Sequence, residues 1–83
     1  MKFIEKVEST IHWKTSTFLK KQKKLKLKGK PRWRSEDEDR FYEWDELHGD
    51  IEVYNSRGKH IGVLNSDGSP STKKAVAGRT IDV

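Results

Sequence analysis

Early in the chain Phe3, Val7, Ile11, Lys14 and Phe18 fall three or four residues apart, apolar except for Lys14, with Ile4 and Leu19 beside them. One face of an amphipathic helix has this period, so the spacing predicts an N-terminal helical segment. The hydroxylated and β-branched residues of Ser9-Thr10-Ile11 and Thr15-Ser16-Thr17 disfavour a helix interior and keep a strand open as the alternative. Lys20 to Lys30 then holds seven lysines with Leu25 and Leu27, is broken by Gly29 and Pro31, and reads as a basic tether. From Ser35 two patterns compete. Ser35-Glu36-Asp37-Glu38 is a capping box that would start a helix, whereas Phe41-Tyr42-Glu43-Trp44-Asp45 alternates aromatic and acidic residues as a strand does, and the strand prevails after Arg40.

Further on the signals agree. Asp50-Ile51-Glu52-Val53-Tyr54 alternates, Asn55 to Gly58 is turn-like, and Lys59-His60-Ile61-Gly62-Val63-Leu64 alternates again, which predicts a hairpin. A Ser56-Arg57-Gly58 loop with Gly58 left-handed pairs Asn55 with Lys59, Tyr54 with His60, Val53 with Ile61, Glu52 with Gly62 and Ile51 with Val63. The four aliphatic residues then share one face. Asp50, Glu52, Tyr54 and His60 share the other, with Gly62 leaving space beside Glu52. Asn65 to Pro70 reads as a second turn, Ser71 to Gly78 as a basic loop carrying Lys73 and Lys74, and Arg79 to Val83 as a short final strand. The expected class is α+β: a basic helical arm and tether over residues 1–34, then an antiparallel-sheet core over residues 35–83, in one compact domain.

Eighty-three residues, 31% hydrophobic and 37% charged, allow a single thin core, resting on Trp13, Trp33, Phe41, Tyr42, Trp44 and Tyr54. The absence of cysteine excludes disulfides, thiolate metal sites and a cysteine nucleophile. No apolar run approaches the roughly 18 residues of a membrane span, and the start lacks the apolar stretch of a secretory signal, so a soluble, unprocessed chain is expected. The net charge of +5 favours an anionic partner. Its distribution says more than its total. Residues 1–34 set twelve Lys or Arg against two Glu, residues 35–52 set nine Asp or Glu against Arg40, and residues 53–83 set five basic against two acidic side chains.

The acidic centre packs Asp45, His48, Asp50 and Glu52 into eight positions, with His48-Gly49 suited to a bend between strands. The histidines at 12, 48 and 60 have no zinc-site spacing and no glycine-rich phosphate loop is present, so neither metal nor cofactor is expected. Metal-free acid and base chemistry remains, and it suits RNA cleavage by internal transfer. A base takes the ribose 2′-hydroxyl proton, an acid protonates the departing 5′-oxygen, and a cation steadies the charged phosphorane. Glu52 fits the base, His48 the acid, and Asp45 the carboxylate that favours a protonated imidazole. Asp50, Tyr54 and His60 on the same face, Lys73 and Lys74 in the basic loop, and Lys24, Lys26 and Lys28 in the tether are candidate substrate contacts. The plainer account is a solvated acidic face, a surface histidine and a basic arm, which together make a non-catalytic RNA- or ribosome-binding module. His12 and Trp13 read as structural, and Trp33 either stacks on a base or anchors the arm. A membrane-active cationic peptide is disfavoured, because the basic block lacks a wide apolar face.

Tyr42-Glu43-Trp44-Asp45, His48-Gly49-Asp50-Ile51-Glu52-Val53-Tyr54 and Gly58-Lys59-His60-Ile61-Gly62 closely resemble the C-terminal cytotoxic domain of the ribosome-inactivating colicins and cloacin. The resemblance runs from Arg40 to the end, with Asp50 standing where the family usually has glutamate. It implies a strongly twisted antiparallel sheet preceded by helical structure, and metal-independent cleavage of small-subunit (16S) ribosomal RNA at the decoding site, which stops translation. It also implies that the family's catalytic aspartate, histidine, glutamate and arginine fall on Asp45, His48, Glu52 and Arg79. The implied partners are small-subunit ribosomal RNA and an acidic immunity or antitoxin protein, and the expected place of action is the bacterial cytoplasm; a secreted bacteriocin fragment, a delivered effector domain and a free-standing intracellular toxin all stay open as the route to it. Strict alternation would put Arg79 on the side of Ile81 and Val83, so a twist, bulge or shift must bring it to the polar face.

Overall fold

The computed structural model describes residues 12–27 and 29–83. Five strands, β1 (Lys23–Lys24), β2 (Arg32–Arg34), β3 (Arg40–Asp45), β4 (Asp50–Asn55) and β5 (His60–Leu64), form one antiparallel sheet in sequence order. The α+β class expected from the sequence is overturned. Among the described residues, helical structure is confined to a 3₁₀ turn (Trp13–Thr15) and a single turn α1 (Thr17–Lys20). The hydroxylated residues explain the break. Ser16 is extended, and its Oγ accepts the Leu19 N–H at 3.1 Å, so a new turn is capped at Ser16 instead of an existing helix continuing through it. The Phe3 to Ile11 part of the predicted helix lies outside the described residues. Lys23–Lys24 and Arg32–Arg34, read from sequence as tether, are strands of the sheet.

One face of the sheet holds the core. Trp33, Tyr42, Trp44, Ile51 and Val53 pack there with Leu19 of α1, and Trp13, Phe18 and Leu64 close over them. Burying side chains of the size of Leu19, Trp44 and Ile51, which are all but inaccessible, contributes roughly 1.5–3 kcal/mol each. Ser16 ties this layer to the far end of the chain by donating to the Ser66 carbonyl at 2.6 Å.

The β4–β5 hairpin departs from the predicted register. Tyr54 pairs with His60 as expected, but a bulge then pairs Val53 with Gly62, Glu52 with Val63 and Ile51 with Leu64. Ile61 is the extra residue and is exposed. The four aliphatic residues therefore do not share a face: Val63 lies beside Glu52, and Leu64 replaces it against the core. The predicted final strand is reduced to one bridge, Lys59 with Thr80. Residues 70–81 run along the outer edge of β5 instead, joined by Ser71 N–H to the Val63 carbonyl, His60 N–H to the Arg79 carbonyl and Ile81 N–H to the Gly58 carbonyl. This strap covers backbone groups that an edge strand would leave unpaired.

Gly58 makes the strap possible. Its φ is +83°, and a Cβ there would lie 2.2 Å from the Ile81 carbonyl oxygen. Gly58→Ala should lower stability by about 2 kcal/mol and loosen the strap. The checks are a thermal melt and faster amide exchange at His60 and Ile81.

Candidate active site

The face opposite the core is built by the same register. β3 turns Phe41, Glu43 and Asp45 toward it, β4 turns Asp50, Glu52 and Tyr54, and Glu43 stands directly across from Glu52. β2 adds Arg32 opposite Glu43, and β5 adds His60 and Val63. At its centre Glu52 is buried, with 7% of its surface exposed. A carboxylate taken out of water needs partners, and Glu52 Oε1 has two: His60 Nε2 at 2.6 Å and Arg79 Nη1 at 3.1 Å.

The proton on His60 can be assigned from its surroundings. Val76 N–H donates to His60 Nδ1 at 2.8 Å, so that nitrogen must present a lone pair, and the ring proton sits on Nε2 and is donated to Glu52. The buried ring of His60 lies edge-on to Tyr54, with centroids 5.1 Å apart. Among the described residues Glu52 Oε2 receives no hydrogen bond, so one oxygen is held and the other is left to accept a proton.

His48 belongs to the turn between β3 and β4, and its Nδ1 lies 2.7 Å from Asp45 Oδ2. Asp45 Oδ1 accepts the backbone N–H groups of Leu47 and His48 and so shapes that turn. Partial burial works to raise the Asp45 pKa, but these donors and the His48 ring outweigh it and hold the carboxyl below its ordinary value. An ionised Asp45 accepts at His48 Nδ1, which leaves His48 Nε2 as the nitrogen available to a ligand. Burial raises the Tyr54 hydroxyl, and the nearby charges of Glu43 and Glu52 add to it against Arg79. Lys73 donates to Asp50, which raises the lysine above its ordinary value and keeps it cationic.

These groups meet in a cavity of about 330 Å³ lined by His48, Glu52, His60, Lys73, Lys74 and Arg79, with Val63 and Val76 as its apolar wall. Asp45 touches it through His48, Asp50 through Lys73, and Tyr54 through His60. Of the remaining sequence candidates, Lys24 is in β1 and lines a separate cleft, Lys26 is exposed beyond that strand, and Lys28 lies outside the described residues. Gly62, expected to leave space beside Glu52, pairs with Val53 instead.

Sequence reasoning missed Glu43 and Arg32. Both the Nε and a terminal nitrogen of Arg32 bond Glu43 Oε2 at 3.0 Å, and Arg32 Nη1 reaches the Asp82 carbonyl at 2.6 Å, so the pair anchors the chain end across the site face. Alternation in Phe41 to Asp45 already put Glu43 on the face of Asp45. Nothing local pointed to Arg32, whose role arises from the β2–β3 register. Arg79 reaches the site without strand alternation, because its segment is a strap held at a few backbone bonds.

The Asp45 pKa is lower folded than unfolded, so its interactions contribute stability above the ordinary carboxylate range and lose it as pH falls through the depressed value. Asp45→Asn should therefore melt below the parent chain at neutral pH, with the gap closing as pH falls below the ordinary carboxylate range. Parallel thermal scans across that range check the sign.

The model of the family described as Cytotoxic matches residues 6–82, well beyond the stretch from Arg40 whose motifs carry the resemblance. No curated protein matches the chain.

Proposed function

Because the chain belongs to the C-terminal cytotoxic domain family of the colicins and cloacin, a family of toxin nucleases, we propose that it is an endoribonuclease that cuts small-subunit ribosomal RNA at the decoding site and stops translation. The observation that carries this reading is the convergence of Glu52, His48 and Arg79 on one cavity, with the Glu52 carboxylate oriented through a single oxygen by His60 and Arg79.

In the proposed reaction Glu52 Oε2 takes the proton of the ribose 2′-hydroxyl, and the 2′-oxygen attacks the adjacent phosphorus. His48, protonated and held at Nδ1 by Asp45, gives its Nε2 proton to the 5′-oxygen as the P–O bond breaks. The products are a 2′,3′-cyclic phosphate and a 5′-hydroxyl. Arg79, already beside Glu52, stabilises the phosphorane, and Lys73 and Lys74 hold the flanking phosphates. Base, acid and cation are all side chains of this protein, so the chemistry asks for no metal. Asp50 keeps Lys73 close to the cavity, and Tyr54 braces His60. Lys24, Lys26 and Lys28 contribute electrostatic attraction to RNA. The net charge of +5 suits a small acidic immunity or antitoxin protein as the neutralising partner, and the site of action is the bacterial cytoplasm.

Intact bacterial ribosomes incubated with the chain in chelator should yield one new end in small-subunit RNA near the decoding site, terminating in a cyclic phosphate. Glu52→Gln and His48→Ala should each cut at least about a hundredfold more slowly while keeping the parent thermal midpoint within a few degrees. Intact RNA with undiminished ribosome binding would replace the enzyme by a basic binding module.

A further inference from the structure

On the core side of the sheet, away from Glu52, a cleft of about 340 Å³ opens between Trp13 and Trp33. Leu19 and the buried Trp33 form its floor, and Lys14, Lys20 and Lys24 rim it. No acidic residue is among the described residues that line it. The two indoles meet edge-to-face with centroids 5.3 Å apart, which locks Trp13 against a rigid partner while leaving it only partly buried. The ammonium groups of Lys14 and Lys24 lie 5.6 and 5.2 Å from the Trp13 ring centroid. The His12 ring also lies against Trp13, with centroids 5.3 Å apart and planes tilted by 34°, and the two exposed lysines are the contacts that a ligand from solvent can displace.

We propose that this cleft is a second RNA-contact site, which stacks an unpaired nucleobase on Trp13 and takes the adjoining phosphates on Lys14 and Lys24. An aromatic surface flanked by exposed cations has the two elements of single-strand recognition, π stacking and phosphate neutralisation. The lysines need only swing from the ring to the phosphates, trading a cation–π contact for a charge-assisted one. Trp33 pairs with Tyr42 on the core face, while its neighbour Arg32 reaches Glu43 on the catalytic face. The cleft and the cavity are therefore on opposite sides of the sheet, and one nucleotide cannot occupy both. A folded RNA that wraps the β1 edge can engage the two together, so the cleft favours a structured substrate over a short strand. This identity of the substrate rests on the nuclease reading; the stacking site itself does not.

The test measures binding in a Glu52→Gln background, so that it does not depend on cleavage. The probes are purified bacterial small ribosomal subunits and a labelled single-stranded oligoribonucleotide. Trp13→Ala should weaken binding of both roughly tenfold, and Trp13→Phe should restore most of it. Lys14→Gln with Lys24→Gln, both exposed positions, should flatten the plot of log affinity against log salt by about 0.7 for each lysine. Parent affinity and parent salt slope in both the Trp13→Ala and the double-lysine variants would overturn the proposal, and that is the result expected if a polypeptide segment fills the cleft. A chain that cuts no RNA yet shows the Trp13 and lysine effects would keep the cleft and remove the nuclease.

Discussion

A buried carboxylate on the central strand sets the terms for the rest of this molecule. Glu52 sits in β4 with Glu43 on one side and Val63 on the other, where an unpaired negative charge would be costly. His60 and Arg79 supply the compensation, and each is itself held by backbone. Val76 N–H fixes the His60 tautomer, and the Arg79 carbonyl accepts the His60 N–H. The strap over residues 70–81 is therefore bound to the sheet through the same contacts that complete the cavity. Loosening it would expose the β5 edge and leave Glu52 short of a partner together.

The bulge at Ile61 is the second element of this arrangement. Without it, Val63 would pair with Ile51 on the core side and Gly62 would stand next to Glu52. One extra residue instead turns Leu64 inward and gives the cavity the apolar wall of Val63 and Val76. The buried Val63 stands directly beside Glu52, and an apolar neighbour lowers the local dielectric and strengthens its ion pairs. On the other side Arg32 engages Glu43, so the two facing carboxylates do not confront each other unpaired.

The two faces of a thin sheet thus divide the labour. The core face spends its aromatic residues on packing, with Tyr42, Trp44 and Trp33 closed over by Phe18 and Leu19, and leaves Trp13 partly open at one end. The opposite face collects the ionisable residues. A chain with 37% charged residues can fold this way because its buried charges are paired across strands.

Strand positions from Arg40 to Leu64, the left-handed turn at Gly58 and the grouping of Asp45, His48 and Glu52 were legible in the chain itself. Alternation and turn chemistry are local, and the motif spacing identified the family. The N-terminal helical segment was misread in its described part, because an apolar spacing of three or four does not reveal that Ser16 will cap a new turn. The bulge could not be read either: either register buries aliphatic side chains, and only packing against the assembled core selects Leu64 over Val63. Arg32 opposite Glu43, the tautomer of His60 and the approach of Arg79 to Glu52 depend on contacts between residues 11 to 27 positions apart. Local sequence determined which residues could share a face; tertiary structure decided which of them touch, because ion pairing and side-chain packing act across strands and not along them.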